Sequence, residues 1–140
     1  MSNWTHVAGI IRMDSVRFNE SYTDDYFDKL IGKECLFGSP SNVWDDAEKN
    51  PDDYLPMGSE GSLRKSVWIN PDPSIIAAYT ISIFGDLRDH DSTDEIIDWF
   101  KNKCSKISVR QAIITVLNER NGEKTWTYTE EDEEEDKNEW

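Results

Sequence analysis

The stretch GDLRDHDSTDE, residues 85–95, holds the densest mixture of side chains that bind metals or move protons. Asp86, Asp89, His90 and Asp91 follow one another where the pattern predicts that a strand ends and a helix begins. Carboxylates and an imidazole at this spacing can ligate one divalent cation. Aspartates before a helix also satisfy its free amides and its dipole without any ligand. Both interpretations stay open, and the first makes the chain a regulatory or metal-dependent domain.

Other catalytic arrangements find little support in the residues. A serine or cysteine nucleophile needs a histidine base and an orienting third group, and the chain has only two histidines, His6 and His90. Neither adjoins a recognisable nucleophile turn, and His6 is expected to be a core histidine satisfied by a neighbour. The glycines of GSEGS lie beside Glu60, which repels an anion. We therefore predict no enzymatic activity, no catalytic residue, no cofactor and no metal in the leading interpretation.

The C-terminal segment 130–140 carries a dense row of carboxylates. Eight of these residues are acidic and one is a lysine, so the segment has a charge of −7. Extended at ~3.3 Å per residue, the segment spans about 36 Å. Its charge spacing then approaches the ~3.4 Å per phosphate of one nucleic-acid strand, and not the density of a duplex.

Residues 38–62 form a second acidic segment. Six acidic residues and one lysine give it a charge of −5, so it and the tail together hold −12 of the net charge of −14. Three prolines and three glycines mark it as a long connection, and long connections in compact domains are usually functional or disordered. Within it, Ser39-Pro40 predicts a helix start with the serine as its cap.

The charge distribution predicts a small acidic binding protein that occupies a basic, nucleic-acid-binding surface of a partner protein. Nucleic-acid mimics and defence inhibitors encoded by phages and other mobile elements are analogous in size and charge. The same charge opposes direct binding of nucleic acid. The residues expected to bind the partner are the phosphate surrogates Glu130, Glu131, Asp132, Glu133, Glu134, Glu135 and Asp136, the second patch Asp45, Asp46, Asp52 and Asp53, and the apolar anchors Trp44 and Trp140.

The elements that must position these residues follow from periodicity. Alternation over 4–13 predicts a strand, and 63–70 with 75–84 an antiparallel pair. A short helix is predicted to end at Gly32, and a longer one to begin with a Ser92–Glu95 capping box. The buried stripes of the two helices are expected at Phe27, Leu30 and Ile31 and at Ile96, Ile97, Phe100 and Cys104.

Asn121-Gly122 predicts a tight two-residue hairpin between the last two strands. Closing the hairpin there sets Arg120 opposite Glu123 and Leu117 opposite Trp126. The first of these pairs joins opposite charges, which supports the predicted register. The edge strand 124–129 offers a further interpretation, in which the chain is an assembly or virion component that self-associates through this edge.

This order of elements predicts an α+β fold of the ferredoxin-like βαββαβ kind, with an extra C-terminal hairpin strand and the helices on one face of an antiparallel sheet. Residues 1–129 are expected to form a single domain with an acidic insertion at 38–62, followed by the acidic tail 130–140. No apolar run is long enough to cross a membrane, and two cysteines are too few for a disulfide framework. We therefore expect a cytoplasmic protein; its partner and its oligomeric state do not follow from the sequence.

Overall fold

The structure is a computed structural model that describes residues 2–16, 24–36, 38–69, 76–90 and 92–129. Its fold is α+β, with a five-stranded antiparallel sheet and three α-helices in the described residues. A short 3-10 turn, Pro51–Asp53, follows the second helix. In chain order the elements are β1 (Trp4–Val16), α1 (Asp24–Leu30), α2 (Ser41–Lys49), β2 (Arg64–Ile69), β3 (Ile76–Arg88), α3 (Thr93–Ser105), β4 (Val109–Asn118) and β5 (Gly122–Thr129).

All five strands belong to one sheet in the order β2-β3-β1-β4-β5, and every neighbouring pair is antiparallel. The central strand, β1, is paired with β3 along its full 13 residues. The two edges are β2, which follows residues 38–62, and β5, which ends at Thr129. The two acidic segments therefore join the sheet at opposite edges.

One face of the sheet is covered by helices and forms the core. Val7, Ile11 and Met13 of β1 are buried on this face, so the predicted alternation of the first strand is confirmed. From α1, Phe27 meets Tyr79 of β3 edge to face, with ring centroids 5.5 Å apart. Helices α1 and α3 therefore both contribute to one apolar layer above the sheet.

Helix α3 follows its sequence prediction closely. The Ser92 side chain accepts a hydrogen bond of 3.1 Å from the backbone N–H of Glu95, which confirms the predicted cap. All four residues of the predicted stripe are buried against the sheet: Ile96, Ile97, Phe100 and Cys104. At 13 residues it is the longest described helix, and none of the helices in the described ranges is long and apolar enough to span a membrane.

The β4–β5 hairpin closes three residues away from the predicted register, and that prediction was wrong. Asn118 pairs with Gly122, and Leu117 lies opposite Glu123 instead of Trp126. The Asn118 side chain explains the shift, because its Oδ1 accepts the backbone N–H groups of both Arg120 and Asn121 at 2.9 Å. Gly122 then begins β5 with a φ of +81°, which favours glycine.

The opposite face of the sheet, here called the open face, carries the other half of each strand. Its side chains come from rows of directly paired residues, such as Phe84, Ala8 and Thr115. Five of the eight exposed large apolar side chains among the described residues point from this face: Ile10, Trp68, Phe84, Ile113 and Leu117.

The open face also holds His6, which the sequence analysis expected in the core. Its side chain is 45% exposed, and its Nδ1 lies 2.6 Å from Oδ1 of Asp86 on the neighbouring strand. The expected hydrogen-bonding neighbour is present, but the expected burial was wrong. The reason is that β1 presents its even-numbered positions to the face that no described helix covers.

Candidate functional site

Residues 38–62, here called the acidic lobe, form a folded unit with a small core of its own. Cys35, Ala47 and Tyr54 are buried together, and Val43 and Met57 pack against them. The lobe contains α2 and the 3-10 turn, so it is neither a bare loop nor a single extended connection. The acid that the sequence places in this segment is therefore held on regular structure.

Helix α2 begins two residues after the predicted cap. Its first residue is Ser41, and Pro40 precedes it in an extended conformation without a side-chain cap. The hydroxyl of Ser39 is instead engaged behind the helix, where it accepts the backbone N–H of Leu36 at 3.1 Å. The predicted helix is present, whereas the predicted serine cap was wrong.

Asp46 turns its carboxylate into the lobe. Its Oδ2 accepts the phenol of Tyr54 at 2.6 Å, and its Oδ1 accepts the side-chain amide of Asn50 at 3.0 Å. These two donors, the phenol first, hold the pKa of Asp46 below its ordinary value, and the carboxylate raises the pKa of Tyr54 to about 12. Of the four aspartates predicted to bind a partner in this segment, Asp46 is thus the one that positions α2.

The backbone of the lobe is bonded to the elements on either side of it. The N–H of Lys33 donates to the carbonyl of Asp53 at 2.8 Å, and the N–H of buried Leu55 donates back to Lys33 at 2.9 Å. From α3, the Nζ of Lys103 donates to the carbonyl of Asp52 at 3.0 Å. These bonds fix the end of the lobe that carries Asp52 and Asp53.

The turn at the end of the lobe closes against the end of β3. The N–H of Ser59 donates to the carbonyl of Arg88 at 2.9 Å, and the N–H of Arg88 donates to Glu60 at 3.0 Å. The two backbone segments approach so closely that a Cβ at Gly58 would lie 2.4 Å from the carbonyl oxygen of Arg88. A Cβ at Gly61 would lie 2.2 Å from the carbonyl oxygen of Asp86. Both glycines are therefore required by the close backbone contact.

Three of the predicted partner-binding aspartates are exposed on the acidic lobe: Asp45, Asp52 and Asp53. Glu48, on the next turn of α2, is exposed as well. Trp44 is 36% exposed, and its indole N–H donates to the carbonyl of Ser39 at 3.1 Å. The exposed part of Trp44 is therefore ring surface, because its one polar group already has an acceptor.

A cleft of about 780 Å³ separates the 3-10 turn from α1 and α3. Asp52 and Asp53 line this cleft together with several lysines. Opposite charges thus meet at this end of the lobe, whereas the lining does not include Asp45 or Glu48. The lysines that line the cleft are Lys29, Lys33, Lys103 and Lys106.

The predicted tail residues, Glu130 to Asp136 and Trp140, lie outside the described residues. The last described residue, Thr129, pairs with Gln111 at the β5 edge of the sheet. The acidic lobe adjoins the other edge, where Val43 and Tyr54 line a cleft together with Val67 of β2. The described residues therefore bring together Asp52 and Asp53, and the tail begins at the opposite edge of the sheet.

The described residues of the alternative site at 86–91 have three separate sets of neighbours. The Asp86 carboxylate lies on the open face beside His6, at 2.6 Å. Asp89 has a φ of +56° and accepts the backbone N–H of Asn3 at 3.1 Å and the hydroxyl of Ser59 at 3.2 Å. The Asn3 amide is the main reason that the pKa of Asp89 lies below its ordinary value.

His90 has a third set of neighbours. Its carbonyl accepts the hydroxyl of buried Thr5 at 2.6 Å, and its Nε2 lies 3.9 Å from Glu95. Asp91 lies outside the described residues. Within the described part of the chain, no group of three His, Cys, Asp or Glu side chains has the arrangement of a metal site.

No family model, no curated protein and no solved structure matches this chain.

Proposed function

We propose that this chain is a small acidic binding protein, without enzymatic activity, whose acidic lobe occupies a basic, nucleic-acid-binding surface of a partner protein. One observation carries the proposal. Asp45, Asp52 and Asp53 are exposed, while the backbone that carries them belongs to a folded lobe bonded to Lys33, to α3 and to β3. Charges held in place lose little conformational entropy on binding, which favours a binding surface over a merely solubilising segment.

Each residue of the lobe has a distinct role in this proposal. Asp45, Asp52 and Asp53 stand in for phosphates, and Asp46 holds α2 in position through Tyr54. Trp44 supplies exposed ring surface beside Asp45, and such aromatic side chains are common anchors of interfaces. Such an interface forms quickly and weakens as salt screens it.

The tail adds a second row of charge in the same proposal. Its surrogates are Glu130 to Asp136, with Trp140 as an anchor, in the segment that follows Thr129 at the β5 edge of the sheet.

We also propose a fold family and a cellular compartment for this chain. We propose a ferredoxin-like variant, in which β1, α1, β2, β3, α3 and β4 form the βαββαβ unit, and α2 and β5 are additions. Both cysteines, Cys35 and Cys104, are buried free thiols, which suits a reducing cytoplasm. Small size and concentrated acid fit the inhibitor type that phages and other mobile elements encode.

Affinity capture from the organism that encodes the chain tests this function. The full chain is immobilised, and a retained basic protein is challenged with duplex DNA and with salt. We expect release by both, with retention falling about tenfold between low salt and ~0.5 M salt. The lobe variant Asp45→Asn/Asp52→Asn/Asp53→Asn is expected to lose the protein.

A control variant with the same change of charge separates the lobe from net charge. Asp94→Asn/Asp98→Asn/Glu123→Gln removes three exposed carboxylates from α3 and β5 and is expected to retain the partner. Equal losses in both variants, or retention that ignores salt and DNA, would contradict the proposal. A variant truncated after Thr129 shows, in the same assay, how much the tail contributes to partner binding.

A further inference from the structure

The centre of the open face is apolar in a way that the proposed function does not use. The middle row of the sheet runs across all five strands as Ser66, Ser82, Ile10, Ile113 and Thr127, so the apolar pair in it is Ile10 of β1 beside Ile113 of β4. Next to it, Phe84 and Ala8 are paired. Ile10 is 47% exposed, Phe84 47% and Ile113 43%, so water contacts side chains that sheets normally bury.

The size of this face suits a protein interface. The rows from His6 to Asp14 extend about 25 Å along the strands, and five strands extend about 24 Å across them. Each copy thus offers about 600 Å², and two copies together bury about 1,200 Å², the lower limit for a stable protein–protein interface. A second sheet of the same size covers the face completely.

The charge of the open face decides which partner fits it. In a chain of net charge −14, the charged strand residues that point from this face nearly balance one another. A basic partner gains little there, and a second copy meets little net repulsion at the face. These residues are Arg12, Arg64, Arg88 and Arg110 against Asp14, Asp86 and Glu123, and Arg64 and Arg88 also pair with Glu34 and Glu60 outside the sheet.

These charges are also separated along the strands. Arg12 and Arg110 lie at one end, where both bond Asp14, at 3.3 Å and 3.1 Å. Asp86 and Glu123 lie at the other end, in the row that contains His6. The face therefore has an apolar centre, a basic end and an acidic end.

We propose that two copies of this chain pack through their open faces, about a two-fold axis that crosses the strands at Ile10. This axis sets Ile10 and Ile113 of one copy on the same residues of the second copy. It brings the basic end of each face over the acidic end of the other.

The other possible axis, parallel to the strands, is disfavoured by charge. It sets the end with Arg12 and Arg110 over itself and the end with Asp86 and Glu123 over itself, so that ends of like net charge face each other. Face-to-face sheets lie about 10 Å apart, close enough for such repulsion to matter. Only the axis across the strands pairs ends of opposite charge and places Ile113 of one copy on Ile113 of the other.

Sedimentation of the purified full chain tests the association, and it needs no partner from the proposed function. We expect the fraction of dimer to rise with concentration between about 1 and 100 µM. Ile113→Lys is expected to leave a monomer with an unchanged circular dichroism spectrum and thermal midpoint. The control Leu36→Lys changes an exposed apolar residue away from the sheet and is expected to remain dimeric.

Cysteine cross-linking tests the axis in the folded wild-type background. The native thiols Cys35 and Cys104 are buried, so a short bismaleimide reports the introduced cysteine. Ile113→Cys is expected to cross-link to itself, and Arg12→Cys is not. A monomer at ~100 µM, or a dimer that survives Ile113→Lys, overturns the proposal. Cross-linking at residue 12 but not at residue 113 overturns the proposed axis.

Discussion

The phenol of Tyr54 and the carboxylate of Asp46 are joined by a hydrogen bond of 2.6 Å that holds α2 against the strand-like end of the acidic lobe. Tyr54 is 4% exposed, and Asp46 lies at the surface of α2, so the bond links the small core of the lobe to its acidic side. The positions of the neighbouring exposed carboxylates depend on this link.

Tyr54→Phe removes the phenol and leaves the ring in place. We expect a loss of about 1 kcal/mol in the free energy of unfolding, because one part-buried hydrogen bond is lost. Asp46→Asn tests the same bond from the other side. If urea unfolding shows that the double variant is no less stable than either single variant, the two side chains act through one bond. Fully additive losses would contradict this.

The carboxylate of Asp89 predicts a pH dependence of stability. The pKa of Asp89 is lowered in the folded protein, mainly by the backbone N–H of Asn3. As the pH falls, Asp89 is therefore protonated first in the unfolded chain. The stabilisation is thus complete well above the ordinary pKa of 3.8 and disappears as the pH falls below it. Asp89→Asn is expected to be less stable than the wild type at pH 7, with a smaller difference at pH 3.

Thermal unfolding across this pH range checks the expectation. Asp45→Asn, which removes an exposed carboxylate from α2, is the control for the change in net charge. A difference between wild type and Asp89→Asn that stays constant from pH 7 to pH 3 would show that the contacts of Asp89 do not stabilise its ionised form.

The cap of α3 gives a third prediction. Ser92→Ala removes the side-chain acceptor of the Glu95 amide and is expected to lower the free energy of unfolding by about 1 kcal/mol. Ser41→Ala at the start of α2, where no side-chain cap bond exists, should change it by a few tenths of a kcal/mol. Equal losses for the two variants in denaturant unfolding would contradict the assignment of Ser92 as the cap of α3.

Two neighbours on β4 test which side of this strand faces the core. Ile114 is fully buried, whereas Ile113 is 43% exposed on the open face. Ile114→Ala is expected to cost about 3 kcal/mol, and Ile113→Ala less than about 1 kcal/mol. The measurement is made at a concentration low enough to exclude self-association. The reverse order of the two losses would contradict the observed orientation of β4.

The hairpin also shows where sequence reasoning stops. Asn121-Gly122 with complementary charges on both sides favours a tight turn, and the pattern alone contains nothing against it. The structure instead uses the side chain of Asn118, which donates to Thr5 at 2.8 Å and accepts two amides of the turn. Since Thr5 is 113 residues away, no local pattern reveals this choice.

Local signals predicted what local interactions determine. The alternation of β1 and the Ser92 cap depend on residues close in sequence, and both are confirmed. The folded state of the acidic lobe depends on distant pairs such as Lys33 with Leu55, which composition does not disclose. The open face escaped prediction for a related reason. Ile10 makes β1 apolar on both sides, and only the finished sheet shows which side is covered.

The contact between the lobe and the end of β3 has a consequence for how this protein can change over generations. Exposed carboxylates such as Asp45 can be gained or lost one at a time with little effect on folding. The segment as a whole is different, because Leu55 belongs to the main core and Gly58 and Gly61 fit against β3. Residues 38–62 are therefore an integral part of the domain, and lineages are expected to vary their charge while keeping their length.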